Sequence, residues 1–309
     1  MAKTTYYFFS GKGGVGKTSL AAAAALRLAR QGKKTLLISI DPAHSISDSF
    51  EAKIGGEVTQ LEKNLFAVEI DPAKAVEEYK RKLSPHAEKL EILKTLGLEE
   101  TFDIVGMTPG IDELAAFDKF LQYMHEPEYD VIIFDTAPTG HALRFLSLPQ
   151  VLDSWVGKLI KLRLQLSGAL GLVKKILPFG GEGETSGVEQ LERMKAMIQE
   201  ARGILSDPKR THYAIVIIPE LMSILESERS LRTLKEYRIP VRTIIINQVI
   251  PQNPGCGFCA EKRAQQLKRI AFAKKRFKSF RILAIPALSR EVTGTEMLDQ
   301  LGKKLADLQ

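Results

Sequence analysis

Short apolar runs of strand length recur along the chain: Tyr6–Phe9, Thr35–Ile40, Leu65–Ile70, Val131–Phe134, Ala214–Ile218, Thr243–Ile246 and Ile282–Ile285. They are continuous rather than alternating, the pattern of strands covered on both faces, and helical periodicity fills most of the intervals between them. Alternation of this kind predicts an α/β fold, a mostly parallel sheet flanked by helices. Ligands of such sheets sit at the carboxyl ends of the strands. Asp41 follows LLISI, Asp135 follows VIIF, Pro219 and Glu220 follow AIVII, Asn247 follows TIII and Pro286 follows ILAI. Any one of these reads equally well as a cap or turn residue. Their convergence on one sheet edge points to a site.

Two stretches break the rhythm and read as purely helical, Ala73–Met124 and Val151–Arg202. The predicted organisation is therefore a sheet domain of residues 1–72, 125–150 and 203–309 carrying a helical subdomain of residues 73–124 and 151–202. Within the second stretch Leu152, Trp155, Val156, Leu159, Ile160, Leu166, Leu170, Val173 and Ile176 recur at helical spacing, with Lys158, Lys161, Arg163, Lys174 and Lys175 opposite. Taken alone, such a face packs against the protein's own core.

The chemistry concentrates first in GKGGVGKT, residues 11–18, which follow an apolar strand and open an alanine-rich helix. This is the setting of a phosphate-binding P-loop, and the sheet domain becomes a P-loop NTPase fold. Gly11, Gly13, Gly14 and Gly16, with Val15 between them, let backbone amides turn inward, and the helix that begins near Thr18, followed by Ser19, adds its positive end. Lys17 would neutralise the terminal phosphates and the Thr18 hydroxyl would reach Mg²⁺. A second lysine, Lys12, is not needed by the motif. It reads either as a solvated side chain or as a cation that acts on the nucleotide of a facing subunit, as an arginine finger does. Asp41, opening DPAHSISD, could orient or deprotonate the attacking water. Asp135, opening DTAPTGHALRFLSLP in the Walker-B manner, would approach Mg²⁺ through water, and Pro138 and Gly140 make the next loop a candidate γ-phosphate sensor.

Composition narrows the class without deciding the function. The chain has 309 residues, 44% of them hydrophobic and 26% charged, proportions of a globular protein. Its longest apolar runs, Leu20–Leu26 and Tyr213–Pro219, fall far short of a bilayer span, and the start of the chain lacks a signal peptide's apolar stretch. A cytoplasmic location is expected. The net charge of +7 is spread over many lysines and arginines. The run Lys262–Arg281 gathers nine of them, either as a solvated helix face or as a surface for an acidic receptor or anionic membrane. The only two cysteines, Cys256 and Cys259, form a single CxxC, which is no disulfide framework.

GKGGVGKT with its extra lysine, DPAHSISD, DTAPTGHALRFLSLP, IPELMSILESERS and the late CxxC together resemble the Get3/ArsA family of deviant Walker-A ATPases, from about Tyr6 to Gly294. Within it the chain is similar to the archaeal members of the branch that targets tail-anchored membrane proteins. The resemblance implies a cytoplasmic homodimer that closes around two ATP molecules, with Lys12 acting across the interface and Asp41 as the hydrolytic residue. It implies nucleotide contacts from Glu220 and Asn247, the latter on adenine, with Pro286 and Leu288 flanking the base. It also turns Val151–Phe179 into a groove for a client's transmembrane helix, with Ile92, Leu93, Leu96 and Leu98 as the opposite wall. Here Leu, Ile and Val line that region where eukaryotic members use methionine, the adaptable side chain of promiscuous grooves.

Cys256 and Cys259 have the spacing of half a zinc site, and structural zinc takes four ligands. Two protomers sharing one Zn²⁺ would supply them, which is also the family's arrangement; a redox dithiol and two free thiols are the alternatives. Tail-anchor targeting, with a membrane receptor as further partner, is thus the expected function, with no specific nucleic acid as partner. An arsenite-pump ATPase subunit is a second reading, although this chain has one ATPase half and no further cysteines. A ParA/MinD-like positioning ATPase is a third, sharing the Lys12-type loop but lacking twin helical insertions.

Overall fold

The computed structural model describes residues 4–39, 45–83, 111–124, 128–135, 186–253 and 255–305. Eight strands form one sheet: β1 (Thr5–Ser10), β2 (Thr35–Ser39), β3 (Thr59–Glu62), β4 (Leu65–Glu69), β5 (Val131–Asp135), β6 (Thr211–Ile217), β7 (Val241–Val249) and β8 (Arg281–Pro286). Their order is β3-β4-β2-β5-β1-β6-β7-β8, and every pairing is parallel except that of β3 with β4. The seven apolar runs became the parallel strands. The eighth strand, β3, has the sequence TQLE and only half-buried or exposed residues, so it carries no apolar run to betray it. As an edge strand it needs none.

The helices are α1 (Lys17–Arg30), α2 (Ser45–Phe50), α3 (Pro72–Leu83), α4 (Ile111–Met124), α5 (Ser186–Ser206), α6 (Leu221–Glu236), α7 (Gly257–Arg276) and α8 (Gly294–Lys304). By compactness the chain divides into two units. One comprises Met1–Asp71, Met124–Leu143 and Leu205–Gln309 and contains the sheet; the other comprises Pro72–Tyr123 and Arg144–Ile204. In the second, Lys119 pairs with Glu78 at 2.5 Å, tying α3 to α4. The apolar face from Leu152 to Ile176 and its expected opposite wall, Ile92 to Leu98, lie outside the described residues. Among the described residues no helix is long and apolar enough to cross a membrane.

In the sheet unit, one face is closed by α1, α2 and α8, whose apolar residues merge with Tyr7, Phe9, Leu37, Ile133, Val216 and Ile245 in one buried cluster. The alanines of α1 let α8 come close, and a Cβ added at Gly302 of α8 would sit 2.9 Å from the Ala23 carbonyl oxygen. On the other face Phe8 stacks on Phe134 with ring centroids 4.9 Å apart and on Tyr213 at 5.9 Å.

Candidate functional site

From β1 the chain crosses through α1 to β2 on one side, whereas β6, α6, β7, α7 and β8 step away on the other. Right-handed crossovers then place α1 on one face and α6 and α7 on the opposite face. The strand order reverses at β1, and a crevice opens at its carboxyl end. Residues 11–16 occupy that position, between the end of β1 and the first turn of α1.

The loop is held by close backbone approaches. A Cβ at Gly11 would lie 2.2 Å from the Val216 carbonyl oxygen of β6. Gly16 caps α1 with φ 88°, and a Cβ there would meet Asn247 Nδ2 at 2.5 Å. Only glycine satisfies both demands at Gly16, the left-handed backbone and the missing side chain. Lys17 is buried and its Nζ donates to the Lys12 carbonyl at 3.5 Å, folding the side chain back along the loop. Lys12 is half-buried, Thr18 and Ser19 likewise, and Gly13 and Gly14 are exposed.

Asp135 ends β5, in register with Phe9 of β1 and Ser39 of β2, and is fully buried. A carboxylate there lies one strand from the strand that feeds the loop. Asn247 was expected just after its strand. Instead β7 runs on to Val249, and Asn247 lies within it, nearly buried, donating from Nδ2 to the Val15 carbonyl at 2.9 Å. Its neighbour Gln248, which the sequence reading did not single out, donates to the Gly14 carbonyl at 3.4 Å.

Beside the loop is a cleft of about 540 Å³. Gly16 and Ser19 line it from the loop side, Pro219 and Glu220 from the end of β6, Asn247 and Gln248 from β7, and Pro286 and Leu288 from the end of β8. One end offers backbone donors at a helix N-terminus, suited to phosphate. The other offers proline and leucine surfaces beside amide and carboxylate groups, suited to a flat heterocycle with a hydrogen-bonding edge. Asp48, the last residue of DPAHSISD, and Lys262, the first of the basic run, also line the cleft, as do Gln266 and Arg290, which went unremarked in the sequence. Asp41, Pro138 and Gly140 lie outside the described residues.

Another residue invisible to motif reading is Glu69, the last residue of β4 and almost fully buried. Its Oε1 accepts from the amides of Ile46 and Ser47 at 2.9 Å each, and Oε2 accepts from the Ser47 hydroxyl at 2.9 Å. The carboxylate thus satisfies the first turn of α2, the helix that follows the Asp41 segment.

The CxxC stands at the start of α7. Cys256 is the N-cap, half-buried, and its Sγ accepts from the Cys259 amide at 3.3 Å. Hydrogen bonding from Cys259 pulls the Cys256 thiol below its usual range, while the same pairing pushes Cys259 up. Among the described residues no group of three or more His, Cys, Asp or Glu side chains gathers as a metal site.

Residues 4–307 match the family model described as anion-transporting ATPase. The chain is 36% identical to ATPase GET3B of Arabidopsis thaliana, over 97% of this chain and 78% of that protein. It is also 36% identical to ATPase GET3 of Podospora anserina, over 97% of this chain and 90% of that one. ATPase ARSA1 of Chlamydomonas reinhardtii is 35% identical over 97% of this chain, which spans 42% of its length. A glycine loop pinned between β6 and β7, a buried aspartate one strand away and likeness along nearly the whole sequence agree: this chain is a member of the anion-transporting, ArsA-type ATPase family and is itself an ATPase.

Proposed function

We propose that the protein is a homodimeric, cytoplasmic targeting chaperone that uses ATP to capture and release the transmembrane helix of tail-anchored membrane proteins. The observation that carries this reading is likeness to proteins named GET3 over 97% of the chain. In this reading the sheet unit hydrolyses ATP, and the unit of Pro72–Tyr123 and Arg144–Ile204 supplies the client groove. Lys17 and the loop amides hold the phosphates, Asp41 orients and deprotonates water, and Lys12 reaches the nucleotide of the partner subunit. Asn247 and Glu220 meet the polar edge of adenine, and Pro286 and Leu288 its faces. Bound Mg²⁺ neutralises charge on the phosphates; Thr18, and Asp135 through water, are the residues that would hold it. ATP favours the closed dimer only by its differential affinity for it, and hydrolysis removes that bias.

The test is co-purification with a tail-anchor helix. Wild type should retain the helix with ATP and lose it as ATP is consumed, whereas Asp41→Asn should hold ATP and helix together. Rapid loss of the helix from Asp41→Asn with unhydrolysed ATP would refute the scheme. The family description and the likeness to ARSA1 keep an arsenite-pump ATPase as the second reading. Hydrolysis stimulated by arsenite, with no helix retained, would select it.

The same reading assigns Cys256 and Cys259 to one Zn²⁺ shared by two protomers. A half-buried pair of free thiols separated by two residues, with the Cys256 sulfur accepting from the Cys259 amide, suits a metal that binds thiolates. Elemental analysis should give about one zinc per two chains, the tetrahedral Cys₄ count. Cys256→Ser should abolish zinc and shift the dimer toward monomer in light scattering. A stable zinc-free dimer of unchanged affinity would remove the shared ion from the scheme.

A further inference from the structure

Successive residues of a regular strand point their side chains to opposite faces, so neighbours should not reach one target. Asn247 and Gln248 nevertheless both reach the phosphate loop, at the Val15 and Gly14 carbonyls respectively. The backbone explains how. Gln248 has φ 57°, in the left-handed region, and the register of β7 against β8 shifts between Ile246 and Val249. A non-glycine residue takes that conformation only when its surroundings impose it.

The imposing groups come from α7. Gln266 Oε1 accepts from the Ile250 amide at 2.8 Å, while its Nε2 donates to the Gln248 carbonyl at 3.1 Å. Arg263 donates to the Ile250 carbonyl from one turn earlier on the same helix. One side chain thus spans the kink, holding a donor on one side and an acceptor on the other.

The consequence falls on the loop amides. In a trans peptide the C=O and the following N–H point in opposite directions. With the Gly14 and Val15 carbonyls drawn toward β7, the amides of Val15 and Gly16 are turned the other way, to the side where an anion is cradled. We infer that Gln248 and Gln266 are positioning residues for phosphate binding: Gln248 aims the loop amides through the Gly14 carbonyl, and Gln266 holds Gln248 in its left-handed backbone. This rests on residues 11–18 being the phosphate-binding loop.

Three probes separate the possibilities in calorimetric titration: MgATP, magnesium pyrophosphate and adenosine. Gln248→Glu keeps the shape and replaces the donor by an oxygen facing a carbonyl. Gln248→Gly removes the amide and relieves the strained φ, so this variant should melt at or above wild type without nucleotide. Both should bind MgATP and pyrophosphate about three- to tenfold more weakly, the worth of one hydrogen bond, with adenosine unchanged. Gln266→Ala should show the same pattern, and Gln248→Gly with Gln266→Ala should be no weaker than Gln248→Gly alone, because one acts through the other. Weakened adenosine with normal pyrophosphate would make Gln248 a base contact and overturn the inference, as would normal pyrophosphate binding by Gln248→Gly or strictly additive losses. Lys17→Ala is the control. If it keeps its affinity for pyrophosphate, the loop assignment itself fails; if it loses affinity while the glutamine variants do not, only the inference made here fails.

Discussion

Gly16 and Gly11 both forbid a Cβ, but the neighbour that forbids it differs, and so should the outcome of alanine substitution. At Gly16 the obstacle is the end of a side chain, Asn247 Nδ2 at 2.5 Å, together with φ 88°. The left-handed backbone costs an alanine about 1–2 kcal/mol, and the displaced amide releases the Val15 carbonyl. Gly16→Ala should therefore fold yet bind MgATP at least about tenfold more weakly. Adding Asn247→Ala should relieve the contact without restoring affinity, since the carbonyl tether is gone in either case. At Gly11 the obstacle is the backbone of β6, the Val216 carbonyl oxygen at 2.2 Å, which cannot step aside without shifting a central strand. Gly11→Ala should lower the melting temperature of the nucleotide-free protein more than Gly16→Ala does. Calorimetric melts in which Gly16→Ala proved the less stable of the two would contradict this assignment of the contacts.

Individual elements depend on single polar residues that no motif announces. Glu69 at the end of β4 accepts three hydrogen bonds from the first turn of α2, two from amides without intrahelical partners. Glu69→Ala leaves those donors buried and should cost about 3 kcal/mol in urea denaturation, whereas Glu69→Gln, which keeps one acceptor oxygen, should cost less. Equal losses would mean that volume rather than hydrogen bonding matters there. At the other end of the sheet, His212 of β6 stacks on Tyr7 of β1 with ring centroids 4.8 Å apart. Burial, and secondarily the charge of Arg242, lower its pKa below the ordinary 6.5. A depressed folded-state pKa means that below pH 6.5 the unfolded chain takes up a proton that the folded chain refuses, so stability falls as pH drops through that value and is level above it. His212→Phe keeps a ring on Tyr7 and removes the titration, and its melting temperature should decline less between pH 7 and pH 5 than that of wild type. The parallel strands were legible because each is a continuous apolar run. Glu69, Gln248 and Gln266 were not, because what they do depends on partners from 16 to 234 residues away in sequence, brought near only by the finished sheet.

At the scale of the whole chain, the order of elements explains both what the sequence discloses and how the molecule should come apart. The glycine loop was readable because a strand, a loop and a helix are consecutive in sequence, whereas the cleft beside it draws on β6, β7 and β8, and only the pattern of polar residues at strand ends hinted at their meeting. The two compact units are interleaved: Pro72–Tyr123 and Arg144–Ile204 form one, and their ends are continuous with Asp71, Met124, Leu143 and Leu205 of the other. In sequence, β5 lies between the two segments of the second unit. Once the sheet unfolds, the residues between Tyr123 and Arg144 become a free linker, and keeping the segments together costs the closure entropy of that loop. The second unit should therefore not outlast the sheet. Trp155, the chain's single tryptophan, falls in its second segment and reports on it. On heating, loss of native Trp155 fluorescence should precede or coincide with unfolding of the sheet unit, read as the calorimetric transition that MgATP shifts. MgATP at a hundred times its dissociation constant should stabilise the sheet unit by about 2.7 kcal/mol, raising its midpoint by roughly 5–10 °C, and Lys17→Ala should erase that rise. If Trp155 fluorescence remained native well above the midpoint of that transition, the two segments would have to hold together unaided, and chain connectivity would not be what ties their survival to that of the sheet.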